Sequence, residues 1–396
     1  MKITDVQSYV LKSPLAEHEE FYASQESFSE RSSCLVRIET DSGLVGWGEA
    51  GLWGAPEPVA AMIDHVLTPR ITGMNPLHMD VIWEKLYAHI RDWGRQGTAV
   101  EAISGVDIAC WDIAGQALQQ PIHTLLGGAY RNRVKAYATG GYYKGGPEKW
   151  ADTGALAAEV ERHVANGFRA LKIKVGLLSV AEDLARVKAA RRALDACAPS
   201  GERFPYMVDA NHAYPPHIAI AVGRGLEEED TLWFEEPVIP EDRRGYRQVA
   251  ETLDLAIAGG ECEHTRFSFR DLMLEGCIDI AQPDICGTGG ISEAVKIATL
   301  ARTFDVQVYP HVWGSGIALA AALHFIASLP PSPHSANPLP ALNEPMLEFD
   351  RNPNPLRDTL LREPFTLEDD GTVLIPQRPG LGIEVDETVV AQYGPQ

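Results

Sequence analysis

Apolar and polar positions alternate in two distinct textures along this chain. The opening KITDVQSYVL alternates with the period of a strand, and SCLVRIETDSGLVGWGEA (33–50) reads as a hairpin around Asp41-Ser42-Gly43. Between the two lies a polar stretch, 14–33, rich in Glu and Ser. From residue 57 to 120 the period turns helical, and AVEAISGVDIACWDIAGQAL (99–118) is apolar on most of its surface, as a buried helix is. Pro121 and Gly127-Gly128 close this region.

Beyond residue 134 the texture becomes regular. Short apolar runs (VKAYATG, RALKIKV, RFPYMVDA, TLWFEEP, LAIAGGE, CIDIAQPD, VQVYPH) are separated by helical stretches such as VAEDLARVKAARRALDA and GISEAVKIATLAR. This is a βα repeat of about 25 residues, the rhythm of a parallel sheet covered by helices. An eighth run, MLEFD (346–350), follows a proline-rich loop at 330–345. Eight units predict an α/β fold of the (β/α)8 barrel type rather than an open sheet. The tail, with TVLIPQRPGLGIEV, leaves the repeat and is expected to return to the N-terminal part. The expected division is 1–130, a barrel over 131–350, and a returning segment over 351–396.

Composition narrows the function. The formal net charge is −21 over 396 residues, which argues against a nucleic-acid partner. The longest apolar stretch, IALAAALHFIA (317–327), is too short to cross a bilayer and contains His324. The N-terminus lacks a basic segment followed by an apolar one, so the expected location is the cytoplasm. Cysteines 34, 110, 197, 262, 277 and 286 form no C-x-x-C and read as reduced packing residues.

Acidic residues sit where the apolar runs stop. Asp209, Glu235 and Glu261 are each one repeat apart, Asp284 follows in QPD, and His311 ends QVYPH. In a parallel barrel, equivalent positions in successive units lie side by side on the C-terminal rim, where barrel active sites form. Three adjacent carboxylates raise one another's pKa unless a counter-charge is present. An all-oxygen set suits Mg2+ better than Zn2+, which prefers His and Cys. Asp284 is placed to orient His311 and raise its basicity. In RALKIKV, Lys172 and Lys174 share one strand face, opposite Leu171, Ile173 and Val175.

A cation, two lysines and a His–Asp pair suit removal of a proton α to a carboxylate. The charge of the enediolate that forms is offset by the cation and one lysine, while the second lysine, its pKa lowered by cationic neighbours, can act as base. Sites of this type are known to use a Lys or His base with Mg2+.

Together, K-x-K, D-A-N (209–211), F-E-E-P, G-G-E, Q-P-D and P-H-V-W-G make the chain resemble the enolase superfamily, mandelate racemase subgroup, along nearly its full length. The resemblance implies a modified barrel under an α+β cap built from both chain ends. It implies Mg2+ on Asp209, Glu235 and Glu261, and acid/base groups Lys174 and His311–Asp284 on opposite faces. Lys172 would meet the substrate carboxylate, as would Glu348 from the last strand, with Glu344 a rival for that role. Asn211, His212, Trp313, the 14–33 loop and GLWGAPEP (51–58) would face substrate. The acidic run Glu17 to Glu20 would be an odd lid for a dianionic substrate unless it faces solvent.

YATGGYYKGG, WFEEPVIPE and HVWGSGIALAAALHF are most like members that open an aldarolactone by β-elimination. Acid-sugar dehydratases, acting on aldonates or aldarates, share the same intermediate, and members of the family often assemble as homo-oligomers. Three rivals remain from the residues alone. A Ser315–His311–Asp284 triad would make a serine hydrolase, but no G-x-S-x-G supports it. A silent barrel could bind sugar acids without turning them over. GTGG (287–290) suggests a dinucleotide site but lacks the full glycine fingerprint.

Overall fold

The computed structural model describes residues 1–51, 54–332 and 343–394. Strands β1 (Ile3–Pro14), β2 (Glu30–Thr40) and β3 (Val45–Ala50) form an antiparallel sheet in that order. The β2–β3 pairing confirms the hairpin read around Asp41. Helix α1 (Thr98–Leu118) packs across the sheet and is buried over most of its length. Close approach sets the glycines here: a Cβ on Gly48 would sit 2.0 Å from the carbonyl oxygen of Gly105 in α1. The polar stretch is shorter than its sequence suggests, because β1 and β2 extend into it from both sides.

The barrel strands are β4 (Arg133–Thr139), β5 (Leu171–Lys174), β6 (Tyr206–Asp209), β7 (Trp233–Glu235), β8 (Ala256–Gly259), β9 (Ile280–Ala281), β10 (Gln307–Val308) and β11 (Leu347–Asp350). They run parallel in the order β10-β9-β8-β7-β6-β5-β4-β11, with helices between them, as the repeat predicts. Register decides the site. Lys174 pairs with Asp209, and Asp209 with Glu235, so three charged residues share one row at the strand ends. Below them, Tyr137, Met207, Trp233, Ala258, Ile280 and Tyr309 fill the barrel floor.

Helix α2 (Gly316–Ser328) follows β10 and is buried almost throughout, which accounts for its continuous apolar run. Strand β12 (Thr372–Leu374) pairs antiparallel with β4, and helix α3 (Glu387–Tyr393) packs on β1. The tail therefore touches both the barrel and the N-terminal sheet. Among the described residues, no helix is long and apolar enough to cross a membrane.

Candidate active site

Residues Phe21–Tyr22 and Ser27–Phe28 form a small hairpin that pairs with Tyr143–Lys144, just past β4. That pairing carries the 20s segment over the barrel mouth. Ser24 secures it by donating to the carbonyls of Ala210 and Asn211, at 2.8 and 2.6 Å. Glu17 is exposed, Glu19 and Glu20 are half-buried, and none of the three lines the cavity described below.

Beneath the segment, oxygens of Asp209, Glu235 and Glu261 lie within 4.8 Å of one another, all three side chains buried. Asp209 Oδ1 accepts from the Asn211 N–H at 2.7 Å. Glu235 Oε2 accepts from Trp233 Nε1 at 2.8 Å and Gln282 Nε2 at 2.7 Å. Among the described residues, none donates a hydrogen bond to the buried Glu261 Oε2. Such an orphaned oxygen in an all-carboxylate cluster fits a hard divalent cation.

Lys172 is fully buried behind this cluster. Its Nζ is 2.5 Å from Glu235, 2.8 Å from Glu348 and 3.9 Å from Asp209. Lys174 donates to Asp209 and lines the cavity, whereas Lys172 does not. Burial works against charge on Lys174, but Asp209, Tyr142 and Glu261 together outweigh it and hold the ammonium well above the ordinary lysine range. The lowering expected from sequence counts Mg2+ among the cationic neighbours, and a cation on Asp209 would offset the charge that holds this ammonium in place. Asp209 itself is pushed up to about 7 by burial, with Lys174 opposing and Glu235 adding to the rise. Burial also pushes Glu235 up, but Lys172 and Lys174 overcome it and bring the carboxyl down to about 2.

His311 Nδ1 lies 2.7 Å from Asp284 Oδ2, and Asp284 Oδ1 accepts from the N–H groups of Cys286 and Gly287. With its carboxylate fixed, Asp284 accepts a hydrogen bond from Nδ1–H and leaves Nε2 facing Glu261 at 3.6 Å. Burial lowers the His311 pKa, yet the charges of Glu261, Glu348 and Asp284 raise it to about 10. Glu348 accepts from Thr139 Oγ1 at 2.6 Å and from the Val312 N–H at 3.2 Å. Glu344 precedes β11 and does not line the cavity.

Lys174, Glu261 and His311 form one side of a narrow cavity, and Ala23, Gln25, Glu26 and Phe28 the other. Tyr142, Asn211, His212 and Trp313 complete it. Its volume is about 40 Å3. Of GLWGAPEP, Leu52 and Trp53 lie outside the described residues.

Ser315 does not join His311. Its hydroxyl donates to Glu49 at 2.5 Å while its oxygen caps α2 through Ile317, which removes the hydrolase triad. GTGG leads into a helix at Gly290–Thr303, as a barrel turn would. Sequence reasoning passed over Glu236, fully buried at a positive φ of 43°, with Oε2 3.1 Å from His212 Nε2. Burial and the nearby charges of Glu261 and Asp209 hold its carboxyl well above the ordinary range. The doubled glutamate of F-E-E-P was its one signal. Arg31 was also missed: it is buried, pairs with Asp350 at 2.9 Å and stacks 3.7 Å from the Trp313 ring centroid.

Two family profiles match most of the chain: the mandelate racemase / muconate lactonizing enzyme N-terminal domain over residues 6–127, and the enolase C-terminal domain-like family over 155–389. The D-galactarolactone cycloisomerase of Agrobacterium fabrum is 40% identical over 393 residues, covering 99% of both chains. The arabinonate dehydratase of Saccharolobus solfataricus is 37% identical, covering 90% of this chain and 89% of its own. Among solved structures, the 3,6-anhydro-D-galactonate cycloisomerase of Zobellia galactanivorans aligns over 100% of both chains, with a TM-score of 0.86 and 36% identity. A Streptomyces coelicolor racemase with bound magnesium aligns over 99% of this chain and 100% of its own, with a TM-score of 0.85 and 29% identity.

Proposed function

The chain belongs to the mandelate racemase / muconate lactonizing enzyme family of the enolase superfamily, and from that premise we propose that it opens an aldarolactone such as D-galactarolactone. The observation that carries this reading is the placing of Lys174 at the end of β5 and His311 just past β10 in one cavity, with four strands between them, above three buried carboxylates. In this reading Asp209, Glu235 and Glu261 hold Mg2+. When bound there, Mg2+ supplies positive charge for the substrate carboxylate as its α-proton leaves.

The chain's own residues do the rest. Lys174, or His311 held by Asp284, takes the proton α to the free carboxylate. Electrons flow into the adjoining bond, and the β C–O bond of the lactone breaks. The product is an enol that becomes a linear 3-deoxy-2-keto acid. Lys172 and Glu348 set the charge and hydrogen bonding at the carboxylate, Lys172 from behind the acids rather than from the cavity wall. Asn211, His212 and Trp313 contact the sugar. Residues 1–130 and 351–396 serve as the cap, 131–350 as the catalytic barrel. The enzyme works in the cytoplasm as a homo-oligomer.

A second reading, acid-sugar dehydration, is favoured by the likeness to an arabinonate dehydratase. It uses the same proton abstraction with hydroxide as leaving group. A panel of aldarolactones, aldonates and aldarates in D2O, followed by NMR, separates the two. Ring opening of a lactone with loss of the α-proton signal, dependent on Mg2+ and absent in Lys174→Ala, is the expected result. Turnover of galactarate but not its lactone would shift the assignment to dehydratase. Turnover by Lys174→Ala in the presence of chelator would overturn both.

A further inference from the structure

The two sides of the cavity differ in charge. The strand-end side carries Lys174 and His311, together with Glu261 of the acid cluster. The 20s segment opposite contributes Ala23, Gln25, Glu26 and Phe28, and its single charged group is the Glu26 carboxylate. Among the described residues, Lys174 is the one lysine or arginine that lines the cavity. The residues outside that set (52–53, 333–342 and 395–396) include no lysine or arginine. Arg31 stacks on Trp313 but is buried and already paired with Asp350. His212 is drawn toward its neutral form by burial.

A ligand whose reacting carboxylate sits at the strand-end side therefore meets no positive partner for a second carboxylate. It meets Glu26 instead. We propose that Glu26 is a specificity-determining residue that restricts the site to ligands with one carboxylate and disfavours dicarboxylates. The inference rests on the sugar-acid reading above and deepens it.

The consequence for turnover follows from charge balance. An aldarolactone enters with one free carboxylate, its second acid masked as a ring ester. Elimination moves the α-proton to the base and the C–O bonding pair onto the departing carboxylate oxygen. The linear product thus carries two negative charges and a proton has been released. Its new carboxylate forms on the part of the molecule remote from the acid cluster, where Glu26 repels it. The residue that excludes an open-chain aldarate also speeds the product's departure.

The test is calorimetric titration of the Mg2+-loaded protein with D-galactonate, which has one carboxylate, and galactarate, which has two. Wild-type protein should bind galactonate about tenfold more tightly or better, the effect of one like charge in a half-open site. Glu26→Gln should bring the two ligands within about threefold, and Glu26→Lys should reverse their order. Glu26 is exposed in a turn, so both variants should keep the wild-type melting temperature. Inhibition by the linear 3-deoxy-2-keto aldarate should tighten about tenfold in Glu26→Lys. Equal binding of the two acids by wild-type protein, or a ratio unmoved across the three proteins, overturns the role of Glu26 while leaving the sugar-acid reading intact. Failure of every sugar acid and lactone to bind or react overturns that reading and this inference with it.

Discussion

Glu49 of β3 accepts hydrogen bonds from the Ser315 hydroxyl at 2.5 Å and from the Ser315 and Ala318 N–H groups at 2.9 and 3.0 Å. A carboxylate from the N-terminal sheet thus caps the helix that follows the His311 loop, where backbone donors and the helix dipole both favour negative charge. Ser33 adds a fourth donor at 2.8 Å. Glu49→Ala leaves these buried donors without an acceptor, at a cost of about 1–3 kcal/mol. The expected outcome is a melting temperature lower by several degrees and a reduced kcat, because Ser315 is four residues from His311. Thermal unfolding and steady-state kinetics check it. A kcat unchanged in a destabilised protein would separate the cap from the chemistry.

The two lysines offset only part of the charge of the acid cluster. Lys172 sits among Glu235, Glu348 and Asp209, and Lys174 against Asp209. Lys172→Met strands buried carboxylates, a change that typically costs about 3–5 kcal/mol. Unfolding in urea with chelator present should show that loss. Added Mg2+ should recover part of it by taking over as counter-charge, worth about 2.7 kcal/mol at a hundred times the dissociation constant. The same Mg2+ should raise the wild-type melting temperature, and Glu261→Gln should weaken or abolish that rise. A wild-type melting curve indifferent to Mg2+ would count against a cation at these residues.

How much of this was legible in the sequence depended on distance along the chain. Lys174, Asp209 and Glu235 were readable because the repeat places them at successive strand ends, and the parallel register then aligns them. His311 and Asp284 followed from the same period. Glu49 with Ser315 and Arg31 with Asp350 were not readable, since they join elements 266 and 319 residues apart with no shared pattern. Alternation shows which face a side chain takes, but which group touches the Lys174 amine is set by rotamers across strands.

Proton exchange at Cα tests the division of labour between Lys174 and His311. Lys174→Ala should lower lactone turnover by about 10²–10⁴ if the lysine is the sole base. His311→Asn then tells which face the leaving group departs from. If elimination stays on one face, His311→Asn should keep its α-proton exchange while losing less than about tenfold in rate. If the imidazole delivers or receives a proton, the loss should match that of Lys174→Ala. Asp284→Asn removes one of the charges that raise the His311 pKa toward 10. Any limb of the pH–rate profile that belongs to His311 should therefore move to lower pH in that variant. A limb that stays in place would assign it to another group.

A buried histidine pair gives the fold its own acid sensitivity. His324 Nε2 lies 3.0 Å from the Leu381 carbonyl and must donate to it, which leaves Nδ1 as an acceptor. That Nδ1 is 3.1 Å from Nδ1 of His123, so His123 carries its proton there. Protonating His324 would set two N–H groups against each other in a buried site. Burial accordingly lowers its pKa from 6.5 to about 4, with His123 adding to the depression. Below pH 6.5 the unfolded chain binds a proton that the folded chain refuses. Stability should therefore fall as pH drops from 6.5 toward 4 and level off beneath that, by up to about 3 kcal/mol for this one group. His324→Gln keeps a donor for Leu381 and an acceptor for His123 but cannot titrate. Carboxylates add their own acid dependence in both proteins, so the difference between the two curves is the informative quantity. Urea unfolding of wild type and His324→Gln between pH 4 and 7.5 should show wild type losing relative stability across that window. Parallel curves would mean that the pair does not titrate with folding.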